Sequence, residues 1–408
     1  MYGALTGSNS DRYLFGHRYM GPILAECCFL LHRHLESSAV DETHVVLFCS
    51  RGGLLIRRAL ELFTERIGEP MRYAKADFMV SRLTAARLAL DSSEPSIQAV
   101  LAIEFEGRTC SDVAKALCGV HAPVSGDWGA PYEFTRFAKL LAESVQGKQL
   151  RAALSEQVSL LKAHFRAVTR GVPNVHLVDT GVFGSIAQYL RLGMPAVSIE
   201  CLMLFRAHYK RSAFAFDQPD GIGLVSDCDD YRPWDSRSVS RLYWPFFEAF
   251  FEPPLPSVRR YRIDAEGGIV SNLEIPGWRE LTQPKANSIG HGAFDYVADL
   301  TVAGLSTIRK DATRAWRSIR RRIVYPSAAD IDLMGVRDRG LDFGFDDMVH
   351  FGDSLTWEGW HATAASVRAS VWPEGEIRRL CPRTAPILHN LLELGRLAGA
   401  IARLTARH

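Results

Sequence analysis

"VHLVDTGVFGSIAQYLRLGMPAVSIECLMLF", residues 175–205, sets an apolar run before an Asp-Thr-Gly turn, then a short amphipathic segment and a second apolar run. The first run ends at Asp179, a helix covers residues 185–192, and the second run covers residues 196–205. Two strands joined by a crossover of this length run parallel, since an antiparallel pair needs only a tight turn. Both runs are apolar on both faces, which predicts strands covered on two sides. The expected fold class is therefore α/β: a doubly wound, mostly parallel sheet with a Rossmann-like core.

The same grammar occurs upstream in "HVVLFCSRGGLLIRRALELF", residues 44–63. Here an apolar run breaks on Cys-Ser-Arg-Gly-Gly and resumes with Leu55, Ala59, Leu62 and Phe63 on one helical face. A strand that feeds a helix through a glycine turn aims free backbone N–H groups and a helix dipole at one point, which suits an anion. Ligands of open parallel sheets gather at the carboxyl ends of strands, and both turns stand at such ends. Ser50, Arg51, Gly52 and Gly53 form one candidate anion loop; Asp179, Thr180, Gly181, Gly184 and Ser185 form the other. Backbone amides and the Thr and Ser hydroxyls suit a phosphate monoester, and the planar Arg51 fork suits a second phosphate.

The rest of the 408 residues predicts a helix over residues 21–35, others over 134–145 and 150–168, and an ambiguous apolar run at 98–105, strand or buried helix. From about residue 210 the texture turns rich in Asp, Pro, Gly and aromatics, which predicts long loops and a hairpin. Three segments follow: an α/β core over 1–210, a loop and hairpin-rich insertion over 211–290, and a mainly helical region over 291–408. In that last region helices are expected over 298–323 and 386–404.

Apolar residues are 47% and charged residues 23%, as in ordinary folded proteins. A formal charge of +2 gives no global attraction for nucleic acid. The run 309–322 holds seven Lys or Arg against one Asp, but at helical spacing it wraps the helix and reads as a solvated surface. The eight cysteines form no Cys-x-x-Cys pair and sit mostly in apolar runs, which predicts reduced, buried thiols and a cytoplasmic setting. No signal peptide and no apolar segment of roughly 18 residues is evident, so no membrane insertion is expected. A homo-oligomer stays open.

The two turns together resemble the anion loops of type I phosphoribosyltransferases. That resemblance implies a phosphoribosyltransferase-like enzyme that binds phosphoribosyl pyrophosphate, or a related phosphorylated sugar or nucleotide, and transfers the sugar. Arg51, Gly52 and Gly53 would hold pyrophosphate, while Thr180, Gly181, Gly184 and Ser185 would hold the sugar phosphate. Asp179 would face the ribose or a Mg2+ ion, and Asp179 and Arg51 would be the catalytic pair. The family's acidic pair before Thr-Gly is here the single Asp179.

A second resemblance is to bacterial HAD-like proteins found beside polysaccharide and glycosyltransferase genes. It rests on "LFCSRGGLL", "VSRLTAARLAL" with Ser81 and Arg82, "VDTGVFGSI", "YWPFFEAFFEPPLPS" and "SVWPEG". It adds Ser81 and Arg82 as substrate-binding candidates. That group has Asp where this chain has Gly52, so a hydrolase nucleophile there is missing. As alternatives to transfer, Asp227 of "VSDCDD" could serve a HAD-like phosphohydrolase with Asp229 beside it, or the fold could bind a nucleotide without catalysis. "GDSL" at Ser354 imitates an esterase block, but only His361 follows nearby, and a polar loop is the plainer reading. His291, between two glycines, reads as a structural turn histidine.

Overall fold

The structure is a computed structural model that describes residues 9–38, 41–91, 95–119, 126–207, 221–228, 230–336, 339–340, 348–349, 364–365, 367–368 and 370–405. Ser354, His361 and Asp229 lie outside these residues. Five strands, β1 (His44–Cys49), β2 (Lys75–Phe78), β3 (Asn174–Asp179), β4 (Ser198–Arg206) and β5 (Gly221–Asp227), form one sheet in the order β2-β1-β3-β4-β5, with every pair parallel. Chain direction across the sheet reverses between β1 and β3, because β2 lies on one side of β1 and all later strands on the other.

Alternate residues of each strand enter two different cores. Val45, Leu47, Cys49, Leu177 and Cys201 meet one set of helices. Among these are α1 (Arg82–Asp91), α2 (Val145–Thr169) and α3 (Ser185–Gly193). Val46, Phe48, Val178 and Leu202 meet another set that includes α4 (Gly21–Ser38), α5 (Gly52–Ile67), α6 (Ile289–Ala298) and α7 (Ile308–Val324). Covering on both faces explains why β1 is a continuous apolar run from Val45 to Cys49. Each fully buried aromatic, such as Phe48, Phe63 or Trp316, removes apolar surface from water that contributes about 1.5–3 kcal/mol.

Several expectations are corrected by these contacts. β5 lies inside the stretch read as an insertion, so the sheet does not stop near residue 210. Ala293, Val297, Trp316 and Ile319 share a core with Phe48 and Phe205, so the mainly helical region after residue 291 contributes helices that cover the sheet. The ambiguous run belongs to the helix Pro95–Glu104. The helix expected over 298–323 is shorter: it is α7, which starts at Ile308 after a 3-10 turn at Val302–Ser306. The expected hairpin is present as Tyr261–Ile263 paired antiparallel with Ile269–Ser271. In α7 the apolar stripe Ile308, Ala312, Trp316, Ile319 is buried; Arg320 and Arg322 are ion-paired to Glu393 and Asp330. No helix among the described residues is long and apolar enough to cross a membrane.

Candidate functional site

A cavity of about 130 Å³ opens over the carboxyl ends of β2, β1 and β3, three neighbours in the sheet. The reversal of direction between β1 and β3 is where open α/β sheets splay their connections apart and leave a crevice. Ser50, Arg51 and Gly52 line it from the end of β1; Val80, Ser81 and Arg82 from the end of β2; Asp179 to Ile186 from the end of β3. Ten of the eleven residues assigned from the sequence thus meet in one cleft. Gly53 is the exception: a Cβ there would lie 2.8 Å from the Val178 carbonyl oxygen and 3.0 Å from the Phe48 carbonyl carbon, so this glycine serves close packing of α5 on the sheet.

The turn after β1 is sharp. Arg51 stands directly before α5 with φ 66° and ψ −93°, close to the rare γ-turn region that a side chain occupies only under strain. Its guanidinium lies 3.3 Å from Glu252. A Cβ on Gly52 would approach Thr180 Oγ1 to 2.3 Å, so the two loops touch here and no larger residue fits without displacing Thr180.

The turn after β3 is longer. Thr180 is buried, and Gly184 takes a left-handed conformation (φ 64°) at the start of α3. The Asp179 carboxyl accepts backbone hydrogen bonds from Thr180 and Gly181, but burial dominates and raises it above the ordinary aspartate range. Nearby Glu252 pushes in the same direction, and Arg51 opposes. Gly181 faces that carboxyl: a Cβ would lie 2.9 Å from Asp179 Oδ2.

Two assigned serines are committed to the framework. Ser50 Oγ donates to the Val80 carbonyl, and Ser81 Oγ donates to the Val258 carbonyl at 2.6 Å while accepting from the Thr84 N–H at 3.2 Å. Ser81 therefore caps α1, whose N-terminus joins those of α5 and α3 around the cavity. Three helix starts around one cleft sum to a positive backbone potential. Arg82 lies 3.8 Å from Glu104, and burial raises the Glu104 carboxyl.

The fourth wall went unassigned in the sequence. It is the helix α8 (Trp244–Phe251), with Trp244, Glu248 and the following Glu252 lining the cleft. Their i, i+4, i+8 spacing puts them on one face of a segment otherwise filled with Phe. Two glutamates at that spacing in an aromatic helix were the available signal. By contrast Asp227, the candidate phosphohydrolase nucleophile, pairs with Arg206 at 2.9 Å and does not line the cleft. His291 lies in α6, and its Nδ1 accepts from the Asn287 N–H at 3.1 Å, a structural role. No family model matches this chain, and no curated protein matches it.

Proposed function

We propose that this cleft binds a pyrophosphorylated sugar of the phosphoribosyl pyrophosphate type and that the chain transfers the sugar to an acceptor. The observation that carries the reading is the meeting of two glycine turns, three helix starts and a strained arginine over one crevice. The strand order 2-1-3-4-5 is a doubly wound order whose ligands sit at the β1/β3 boundary, which supports a Rossmann-like core; the likeness to phosphoribosyltransferases is carried at the level of the two loops.

In this reading Thr180, Ser185 and the N–H groups at the start of α3 hold the sugar phosphate, and Arg51 holds the pyrophosphate by charge-assisted bonds. The bond from the anomeric carbon to the pyrophosphate oxygen breaks, pyrophosphate leaves with the electron pair, and the acceptor atom bonds to that carbon. Glu248 takes the acceptor's proton, and Trp244 offers a flat apolar wall. Donors fixed in advance around the leaving group supply the rate enhancement.

Three carboxylates, Asp179, Glu248 and Glu252, stand against two arginines in this cleft, so a polyanion enters it best with a divalent cation. The oxygen donors suit Mg2+, which takes one or two carboxylates and completes its shell with phosphate oxygens and water. Asp179 with Glu252 would hold it. The chemistry it supplies when bound is neutralisation of charge on the leaving pyrophosphate.

Calorimetric titration with phosphoribosyl pyrophosphate, ribose 5-phosphate and pyrophosphate, each with and without Mg2+, tests the reading. Binding of phosphoribosyl pyrophosphate that is Mg2+-dependent and tighter than that of ribose 5-phosphate is expected. Turnover of p-nitrophenyl phosphate without such binding would point to a phosphohydrolase, and binding without any turnover would point to a sensor.

A further inference from the structure

The opposite end of the sheet holds a second polar cluster. His176 of β3 and Glu200 of β4 are register partners on adjacent central strands, positions that a buried sheet fills with apolar residues. His34, near the C-terminal end of α4, reaches over the same face. His34 Nε2 lies 2.9 Å and His176 Nδ1 2.8 Å from the same oxygen, Glu200 Oε2. His176 and Glu200 are each the third residue of their strands, near the amino ends of β3 and β4, whereas the anion cleft lies over the carboxyl ends.

We infer that His34, His176 and Glu200 form a binding site for a divalent transition metal of the zinc type. The three donor atoms lie within 4.8 Å of one another, and no other group of three such donors occurs among the described residues. They come from three separate elements, so the fold, not the local chain, brings them together. Both imidazoles converge on one carboxylate oxygen, and His176 Nε2 is buried with no hydrogen-bond partner.

The donor set selects the ion. Two imidazole nitrogens and one carboxylate oxygen suit Zn2+, Co2+ or Ni2+; Mg2+ and Ca2+ prefer oxygen alone, and a copper(I) or iron–sulfur centre needs sulfur ligands. His176 is 7% exposed at its side chain, His34 24% and Glu200 33%, so the cluster is anchored on the inside and reachable from solvent on the outside. The fourth position of a tetrahedral ion falls to water. His44 stacks on His176 at 5.4 Å between ring centroids and helps fix that ring's plane. A bound ion would clamp α4 to β3 and β4, far from the chemistry of the cleft.

Titration of the metal-free full chain with Co2+, followed by visible absorption, and Zn2+ competition against a chromophoric chelator test this. One equivalent of Co2+ should give d–d bands of tetrahedral strength, displaced by Zn2+ and untouched by excess Mg2+. Glu200→Gln and the more exposed His34→Gln should each weaken Zn2+ by about 100-fold or more, at or beyond the roughly 10- to 100-fold that outer-shell changes cost. His291→Gln should change nothing. If Glu200→Gln does not fold, judged by circular dichroism, His34→Gln alone decides. Wild-type chain without stoichiometric binding, or binding equally tight in His34→Gln, would overturn the inference.

Discussion

The turn after β1 and the turn after β3 lie side by side over the sheet, yet the first holds a non-glycine residue, Arg51, at φ 66° and the second gives its left-handed position to Gly184 at φ 64°. A glycine occupies that region at no steric cost, whereas a side chain there costs about 1–3 kcal/mol. The second turn thus has the form of a relaxed cradle of backbone and hydroxyl groups. The first is a strained mount for one cationic side chain, held in place by Glu252 and by the close contact of Gly52 with Thr180. The difference separates two tasks that look alike in the sequence: offering N–H groups, and projecting a charge.

The steric asymmetry between the turns gives the largest expected effect. Gly52→Val forces a Cβ onto Thr180, with contacts of 2.3 and 2.6 Å, and should lower stability by about 3 kcal/mol or more in urea denaturation. Gly181→Val meets only the tip of the Asp179 side chain and should cost less than about 1.5 kcal/mol. Equal losses would erase the distinction between a packed corner and an open loop.

Relief of strain should act with opposite sign at the two turns. Arg51→Gly is expected to raise stability by about 1 kcal/mol, since the strained backbone relaxes by more than the Glu252 contact contributes. Gly184→Ala should lower it by about 1–2 kcal/mol, the cost of a side chain in the left-handed region. Thermal or urea unfolding reads both, and a destabilised Arg51→Gly would mean that the arginine is structural.

A smaller effect should appear with pH. Burial raises the Asp179 carboxyl, so the folded chain keeps that proton to higher pH than the unfolded chain does. Stability therefore falls as pH rises through the window between the unfolded and folded values, and stays lower above it. Asp179→Asn removes this loss: the variant should be more stable than wild type near pH 7, with the advantage fading in acid. Urea midpoints measured across that range check the sign.

The turns were legible because their signals are local. A glycine pair after an apolar run, and Thr-Gly after another, fix a corner wherever they occur, and Val45, Val46, Leu47 and Phe48 announce a central strand by being apolar on both faces. The edge strands were not legible for the converse reason. β2 reads Lys-Ala-Asp-Phe and only Phe78 is buried, while β5 carries two glycines and a half-exposed start. The Trp244, Glu248 and Glu252 wall depended on tertiary placement, because the spacing of the two glutamates marks a polar face but not the cleft that it meets. His34, His176 and Glu200 stand up to 166 residues apart in the chain, beyond the reach of any spacing rule.

The central claim is that Arg51 is mounted to meet a pyrophosphate while the Thr180 loop holds a monoester, and calorimetry of Arg51→Ala against both ligand types tests it most directly. Affinity for phosphoribosyl pyrophosphate should fall by about 1.5–3 kcal/mol, the scale of a hydrogen bond to a charged group, while affinity for ribose 5-phosphate falls far less. Equal losses for the two ligands, or none, would contradict the claim and leave the Gly52–Gly53 turn as only a corner in the fold.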